Sequence, residues 1–308
     1  MRSLRIATRG SDLALWQARE VARRLRETLG VSAEITPIET RGDRLKGSLA
    51  KVGGKGLFVK EIEEALLTRR ADLAVHSAKD LPAASPPELV FAAFLERADP
   101  RDALVANASD ACLDSLRVGA RVGTGSVRRA AQLRRLRSDL EVLPLRGNVP
   151  TRLRKLEQDG LDAVVLACAG LDRLGLGERI RERIAPESLL PAVAQGAIAV
   201  QVRAADPLAR ELAAIDHHAS AAAVAAERAF LTALGGDCNV PIAALALLED
   251  GKLWLRGMVV APDGGRAVTG EQRVPAAEGE AAGRALAESL RERGAGEILA
   301  ELRGEARA

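Results

Sequence analysis

The sequence predicts an α/β protein of three domains, and three observations carry that expectation. From residue 4 onward, short apolar runs alternate with amphipathic stretches of helical period, the order that lays helices on both faces of a mainly parallel sheet. The same order begins again after a polar joint near Glu96 to Asp102. With 308 residues, the chain also exceeds what one ordinary core holds.

A strand at Leu4 to Thr8, a helix over Asp12 to Leu29 and a strand at Glu34 to Glu39 form a β-α-β opening. Ala18, Val21, Ala22, Leu25 and Leu29 recur at helical spacing within that helix. A glycine- and lysine-rich segment, Arg41 to Gly56, precedes a helix at Leu57 to Arg70 and an apolar strand at Asp72 to His76. Past the joint come strand Arg121 to Gly123, helix Val127 to Arg137, strand Glu141 to Leu145, helix Thr151 to Gln158 and strand Ala163 to Ala167. Ile198 to Arg203 is placed to return to the first sheet. A long alanine-rich helix from Ala219 to Leu234 then opens a smaller α/β unit. Its strands are Ile242 to Leu248 and Leu253 to Val260, and its helices Glu280 to Arg293 and Ala295 to Arg303. The division expected is 1–96 with 196–214, then 101–191, then 218–308.

Composition narrows the function classes. Hydrophobic residues at 47% and charged residues at 28% are those of a globular protein. A net charge of only +3 and aromatics at 2%, with no Tyr, lack the basic excess and stacking platforms of a nucleic-acid binder. All but seven of the 45 basic residues are arginine, whose planar fork suits carboxylates and phosphates, although codon bias or thermal adaptation is the leading explanation for those at surface positions. Cys112, Cys168 and Cys238 show no paired spacing, which argues against a disulfide framework and for a reducing, cytoplasmic setting. No apolar leader opens the chain and no run approaches the ~20 residues that cross a bilayer, so no membrane association is expected.

Candidate chemistry gathers at strand ends and glycine turns. Ala74 to Pro82 puts Ser77, Lys79 and Asp80 at the carboxyl end of an apolar strand, the edge where open α/β sheets bind ligands; a turn or cap role is the plainer reading of Asp80. His76 there reads as a packed strand-end histidine. Gly123-Thr124-Gly125-Ser126-Val127-Arg128-Arg129 turns into a helix whose N–H groups face any anion held there. Leu145 to Arg152 repeats that design, with Arg146 leaving a strand and Arg152 in the next helix's first turn. Cations at helix starts oppose the dipole, a local cost that makes sense if they serve a negative ligand. Lys51 to Gly56 fails the phosphate-loop spacing, so Lys55 reads either as part of a lid or as an ordinary surface loop. His217 and His218 read as joint or capping residues, and no metal is expected. Cys238, between Gly235-Gly236 and Pro241, is a lone thiol on an exposed loop, either idle or the site of covalent chemistry.

Taken together, these motifs resemble the porphobilinogen deaminase family. They are Arg5 to Arg9, Leu13 to Gln17, Thr40 to Asp43, Lys51 to Phe58, His76 to Pro82, Gly123 to Arg129, Arg146 to Arg152 and Gly236 to Pro241, in order over nearly the whole chain. The resemblance implies two domains of periplasmic-binding-protein type around a cleft, and a third that presents Cys238 with a dipyrromethane held by a thioether. It implies stepwise head-to-tail condensation of four porphobilinogen units with loss of ammonia, then hydrolysis to hydroxymethylbilane. It makes Asp80 the catalytic carboxylate. Contacts to cofactor or substrate fall to Arg9, Ser11, Lys55, Ser77, Lys79, Thr124, Ser126, Arg128, Arg129, Arg146, Arg152, Arg173 and Gln195. Porphobilinogen is the expected partner, and the chain is expected to be a monomer. Departures are small: Gly125 stands where a serine is frequent, Asp237 and Asn239 flank the cysteine, and Pro150 interrupts the arginine loop. The competing reading is a two-lobed binding module for a small carboxylate, which needs no covalent group on Cys238.

Overall fold

The computed structural model describes residues 3–44, 58–236 and 240–305. In chain order, the first elements are β1 (Ser3–Arg9), α1 (Asp12–Leu29), β2 (Ser32–Ile38), α2 (Arg41–Arg44), α3 (Lys60–Leu67), β3 (Leu73–Ser77) and β4 (Leu89–Phe94). Next come β5 (Asp102–Ala106), β6 (Arg121–Thr124), α4 (Val127–Leu136), β7 (Glu141–Pro144), α5 (Val149–Gln158), β8 (Ala163–Ala167), α6 (Cys168–Arg173) and β9 (Glu182–Ile184). The remainder is β10 (Ile198–Arg203), α7 (Leu208–Glu211), α8 (His218–Ala233), β11 (Ile242–Glu249), β12 (Lys252–Val260), β13 (Ala267–Pro275), α9 (Gly279–Leu290) and α10 (Gly296–Glu305).

These strands make three sheets, ordered β2-β1-β3-β10-β4, β7-β6-β8-β5-β9 and β11-β12-β13. Residues 1–98 and 197–221 form one compact unit, and 99–196 with 222–308 form another that contains the second and third sheets. The expectation of mainly parallel sheets holds for three strands of each large sheet, β2-β1-β3 and β7-β6-β8. The rest of each is antiparallel, so both sheets are mixed. The physical reason is connectivity. β10 reaches the first sheet from the opposite end, and β5 enters the second sheet directly from the joint, so neither has the helical crossover that parallel pairing requires. The third sheet is an antiparallel meander.

Helix α1 shows how local sequence sets an element. Ser11 caps it by accepting the Ala14 N–H at 3.3 Å, and Gly30 closes it in the left-handed region at φ 66°. Between these caps, Ala18, Val21 and Leu25 bury completely against Leu4, Ile6 and Leu73 of the first sheet. The helix at Leu57 to Arg70 is shorter than expected, since α3 ends at Leu67. Cys168 is buried and opens α6 directly after β8 ends at Ala167. Pro150 does not interrupt the arginine loop: it sits in the first turn of α5, where a missing N–H costs nothing.

Candidate functional site

In the first unit, β1 and β3 run parallel and deliver Arg9, Ser11, Ser77 and Asp80 to one pocket at their carboxyl ends. Thr8, Gln17, Phe58 and His76 line it as well. Gln17, buried on α1, grips Ser77 from both amide ends: its Nε2 donates to Oγ at 2.8 Å and the hydroxyl donates to Oε1 at 3.0 Å. Arg9 is paired with Asp43 and stacks over the Phe58 ring, 4.2 Å from its centroid. Burial works against the charge of Asp43, but Arg9 and Thr40 outweigh it and hold the carboxyl below its ordinary pKa. Gly42 is required beside this pair, because a Cβ there would collide with the Phe58 ring. Asp80 ends a single 3-10 turn after β3 and is exposed, with Lys79 half-buried beside it.

His76 is the packed strand-end residue that its position suggested. Its Nε2 lies 3.0 Å from Gln201 Oε1, and Gln201 Nε2 donates to Glu63 at 3.0 Å, so Oε1 is the acceptor and the imidazole carries a proton on Nε2. Burial pushes its pKa down to about 4. His217 caps α8 through Ser220, whose hydroxyl is 2.8 Å from Nδ1.

In the second unit, Ser126 caps α4 and Asn148 caps α5, which places Arg128, Arg129 and Arg152 in first turns. The pair at 128 and 129 differs from a solvated face: both are at most 4% exposed and both meet Asp102, which is wholly buried. Arg129 Nε and Nη2 reach Asp102 Oδ1 at 2.9 and 2.7 Å. Arg128 Nη1 stands 2.8 Å from Oδ2 while donating to the Leu190 carbonyl at 2.7 Å. That second contact is an ion pair without hydrogen-bond alignment, so Oδ2 and Arg128 Nε have no hydrogen-bond partner among the described residues. Burial alone would raise the Asp102 pKa, yet the two guanidiniums outweigh it and hold the group below the carboxylate range. Gln195, 1% exposed, donates to Asp102 Oδ1 at 2.8 Å and to the Pro100 carbonyl at 2.7 Å. Thr124 is buried at the end of β6, Arg146 is exposed after β7, and Arg173 Nη2 donates to the Gly196 carbonyl at 2.6 Å. At Gly125 a Cβ would stand 2.5 Å from the Leu145 carbonyl, so the serine frequent at this place fits here only with a local shift.

Lys55 and Cys238 lie outside the described residues. Sequence reasoning gave no role to Gln17, Asp43 and Phe58, although each closes a motif that carries the resemblance, and it missed Asp102. The one signal for Asp102 was an acid standing directly before the apolar run Ala103 to Ala106.

Strand-end hydroxyls and forked cations recur at the strand ends of two α/β sheets, the edge at which open α/β proteins hold ligands. A family model described as porphobilinogen deaminase, dipyromethane cofactor binding domain, matches residues 4–211, and one described as porphobilinogen deaminase, C-terminal domain, matches 221–292. The chain belongs to the porphobilinogen deaminase family. It is a transferase, a hydroxymethylbilane synthase of tetrapyrrole biosynthesis, and it uses a dipyrromethane cofactor. These matches favour the enzyme over the binding module.

Solved structures with similarity include a TRAP periplasmic solute binding protein from Desulfovibrio salexigens. It is 12% identical over 69% of this chain and 71% of that one, at a TM-score of 0.40. Another is the BvgS VFT2 domain of Bordetella pertussis, 17% identical over 69% of this chain and 86% of that one, at a TM-score of 0.41. The residues present fit a dipyrromethane, whose pyrroles carry acetate and propionate groups. The buried Arg128 Nε wants an acceptor, and Asp102 neutralises only one of its two guanidiniums. Among the described residues no helix is long and apolar enough to cross a membrane.

Proposed function

We propose that Asp80 is the catalytic carboxylate, that Cys238 carries the dipyrromethane through a thioether, and that porphobilinogen meets the chain at the pocket of Arg9, Ser11 and Ser77. The observation that carries this reading is the convergence of those three side chains with Asp80 where β1 and β3 end. Bound, the cofactor supplies the terminal pyrrole carbon from which the chain grows. Arg9 takes a substrate carboxylate, held in place by Asp43 and Phe58. Lys55, Lys79, Thr124, Ser126, Arg128, Arg129, Arg146, Arg152 and Arg173 serve the remaining acetates and propionates. Each charged hydrogen bond contributes about 1.5–3 kcal/mol. Gln195 supports this set from behind, since its amide is engaged by Asp102, Arg129 and the Pro100 carbonyl.

When ammonia leaves the aminomethyl group, positive charge spreads over the substrate pyrrole. Asp80 accepts a hydrogen bond from the pyrrole N–H and stabilises that charge. In water the attraction at 4 Å is about 1 kcal/mol; once the substrate covers Asp80 and the effective dielectric falls to about 20, it is about 4 kcal/mol. Asp80→Ala is therefore expected to fold and keep its cofactor mass while turning over at least about a hundredfold more slowly. Near-normal turnover would remove Asp80 from this role. Intact mass above 32.5 kDa by one dipyrromethane, lost in Cys238→Ser, tests the anchor. The protein works in the cytoplasm as a monomer whose segment 218–308 forms the cofactor-attachment domain.

A further inference from the structure

Asp102 has no part in the roles above, yet it is the hub of the buried polar groups of the second unit. One of its oxygens receives Arg129 twice and Gln195 once, and the other faces Arg128. Backbone carbonyls direct the pair as well: Arg129 Nη1 reaches the Val165 carbonyl at 3.1 Å, and Arg128 Nη1, the atom that faces Asp102, also donates to the Leu190 carbonyl at 2.7 Å. Two guanidiniums on successive residues of a helix's first turn repel each other and oppose the helix dipole, so without a carboxylate both would turn away. One carboxylate cancels one charge. The cluster is left with a single positive charge, out of water, beside the N-terminus of α4, with Arg128 Nε unpartnered among the described residues.

We propose that Asp102 is a positioning residue of the reaction: it fixes the directions of Arg128 and Arg129 and sets their joint charge at one, so that a single pyrrole carboxylate completes the cluster. This rests on the reading of Arg128 and Arg129 as carboxylate binders. A merely structural Asp102, tying α4 to β5, would lower stability and nothing else.

The experiment compares Asp102→Asn with Leu133→Ala, a cavity variant on the same helix whose side chain packs in the apolar core. Urea midpoints match the two for stability. Intact mass then gives the fraction of purified chains carrying dipyrromethane, and steady-state kinetics on the loaded chains give KM and kcat for porphobilinogen. At matched stability, Asp102→Asn is expected to show a smaller loaded fraction and a KM raised at least about tenfold, the scale of one misdirected charged hydrogen bond. A loaded fraction and KM equal to those of Leu133→Ala would overturn the proposal. Where Asp102→Asn does not fold, Asp102→Glu keeps the charge but displaces both guanidiniums, and the same two outcomes apply. Arg128→Gln and Arg129→Gln separate the layers of the inference. If they load and bind normally, the carboxylate-binder reading fails; if they are impaired while the Asp102 variants are not, only the positioning role fails.

Discussion

Burial at single residues decides which groups of this protein can carry charge. His76, neutral between Gln201 and the pocket, has a pKa near 4 when folded against about 6.5 when unfolded. The unfolded chain thus binds the extra proton first. The stability that neutral His76 contributes is complete above about pH 6.5 and is lost as pH falls towards 4, by about 3 kcal/mol in all. Glu63, whose pKa burial raises, acts in the opposite sense, because protonation relieves it at low pH. Urea titrations from pH 7 to 4 are expected to show a loss in the parent that is smaller in His76→Gln; parallel curves would contradict the assignment. The residue types at the pocket were legible in the sequence because polar groups at the end of an apolar strand are conspicuous. The burial of Arg128 and Arg129 was not, since a sequence shows the cations of a helix start but not the acid 26 positions earlier that receives them.

Elements follow the sequence most closely where caps and period agree. Helix α1, between Ser11 and Gly30, spans the residues expected, and β8 and β10 do as well. β4, β5, β9 and β13 were not anticipated. β13 alternates exposed and half-buried residues and carries little apolar signal, while β9 has three residues and depends on pairing with β5 for its existence. The loop between β7 and α5 shows what a turn demands. Gly147 has φ 118°, and a Cβ on it would stand 2.6 Å from Thr151 Cγ2. Gly147→Ala is expected to cost about 1–3 kcal/mol and to move Arg146. An unchanged denaturation midpoint would show that the turn relaxes freely.

At the scale of the molecule, Glu227 of α8 joins parts far apart in sequence. Wholly buried, its carboxylate accepts the Ala194 N–H at 2.6 Å and the Ala246 N–H at 2.7 Å, fixing the strained turn at Ala194 (φ 58°) that presents Gln195 to Asp102. Glu227→Gln replaces one acceptor by a donor that faces an N–H, and a loss of about 2–3 kcal/mol is expected in urea unfolding. A variant as stable as the parent would mean that neither contact matters. The return of Ile198 to Arg203 to the first sheet was foreseen, and it has a consequence for biosynthesis. β10 lies between β3 and β4, so until the ribosome has released residue 203 β4 has no place in that sheet and the edges of β3 and β4 that will receive β10 stand bare. Every strand of the second sheet falls within residues 102–184, so the nascent chain can finish it while its older half still waits.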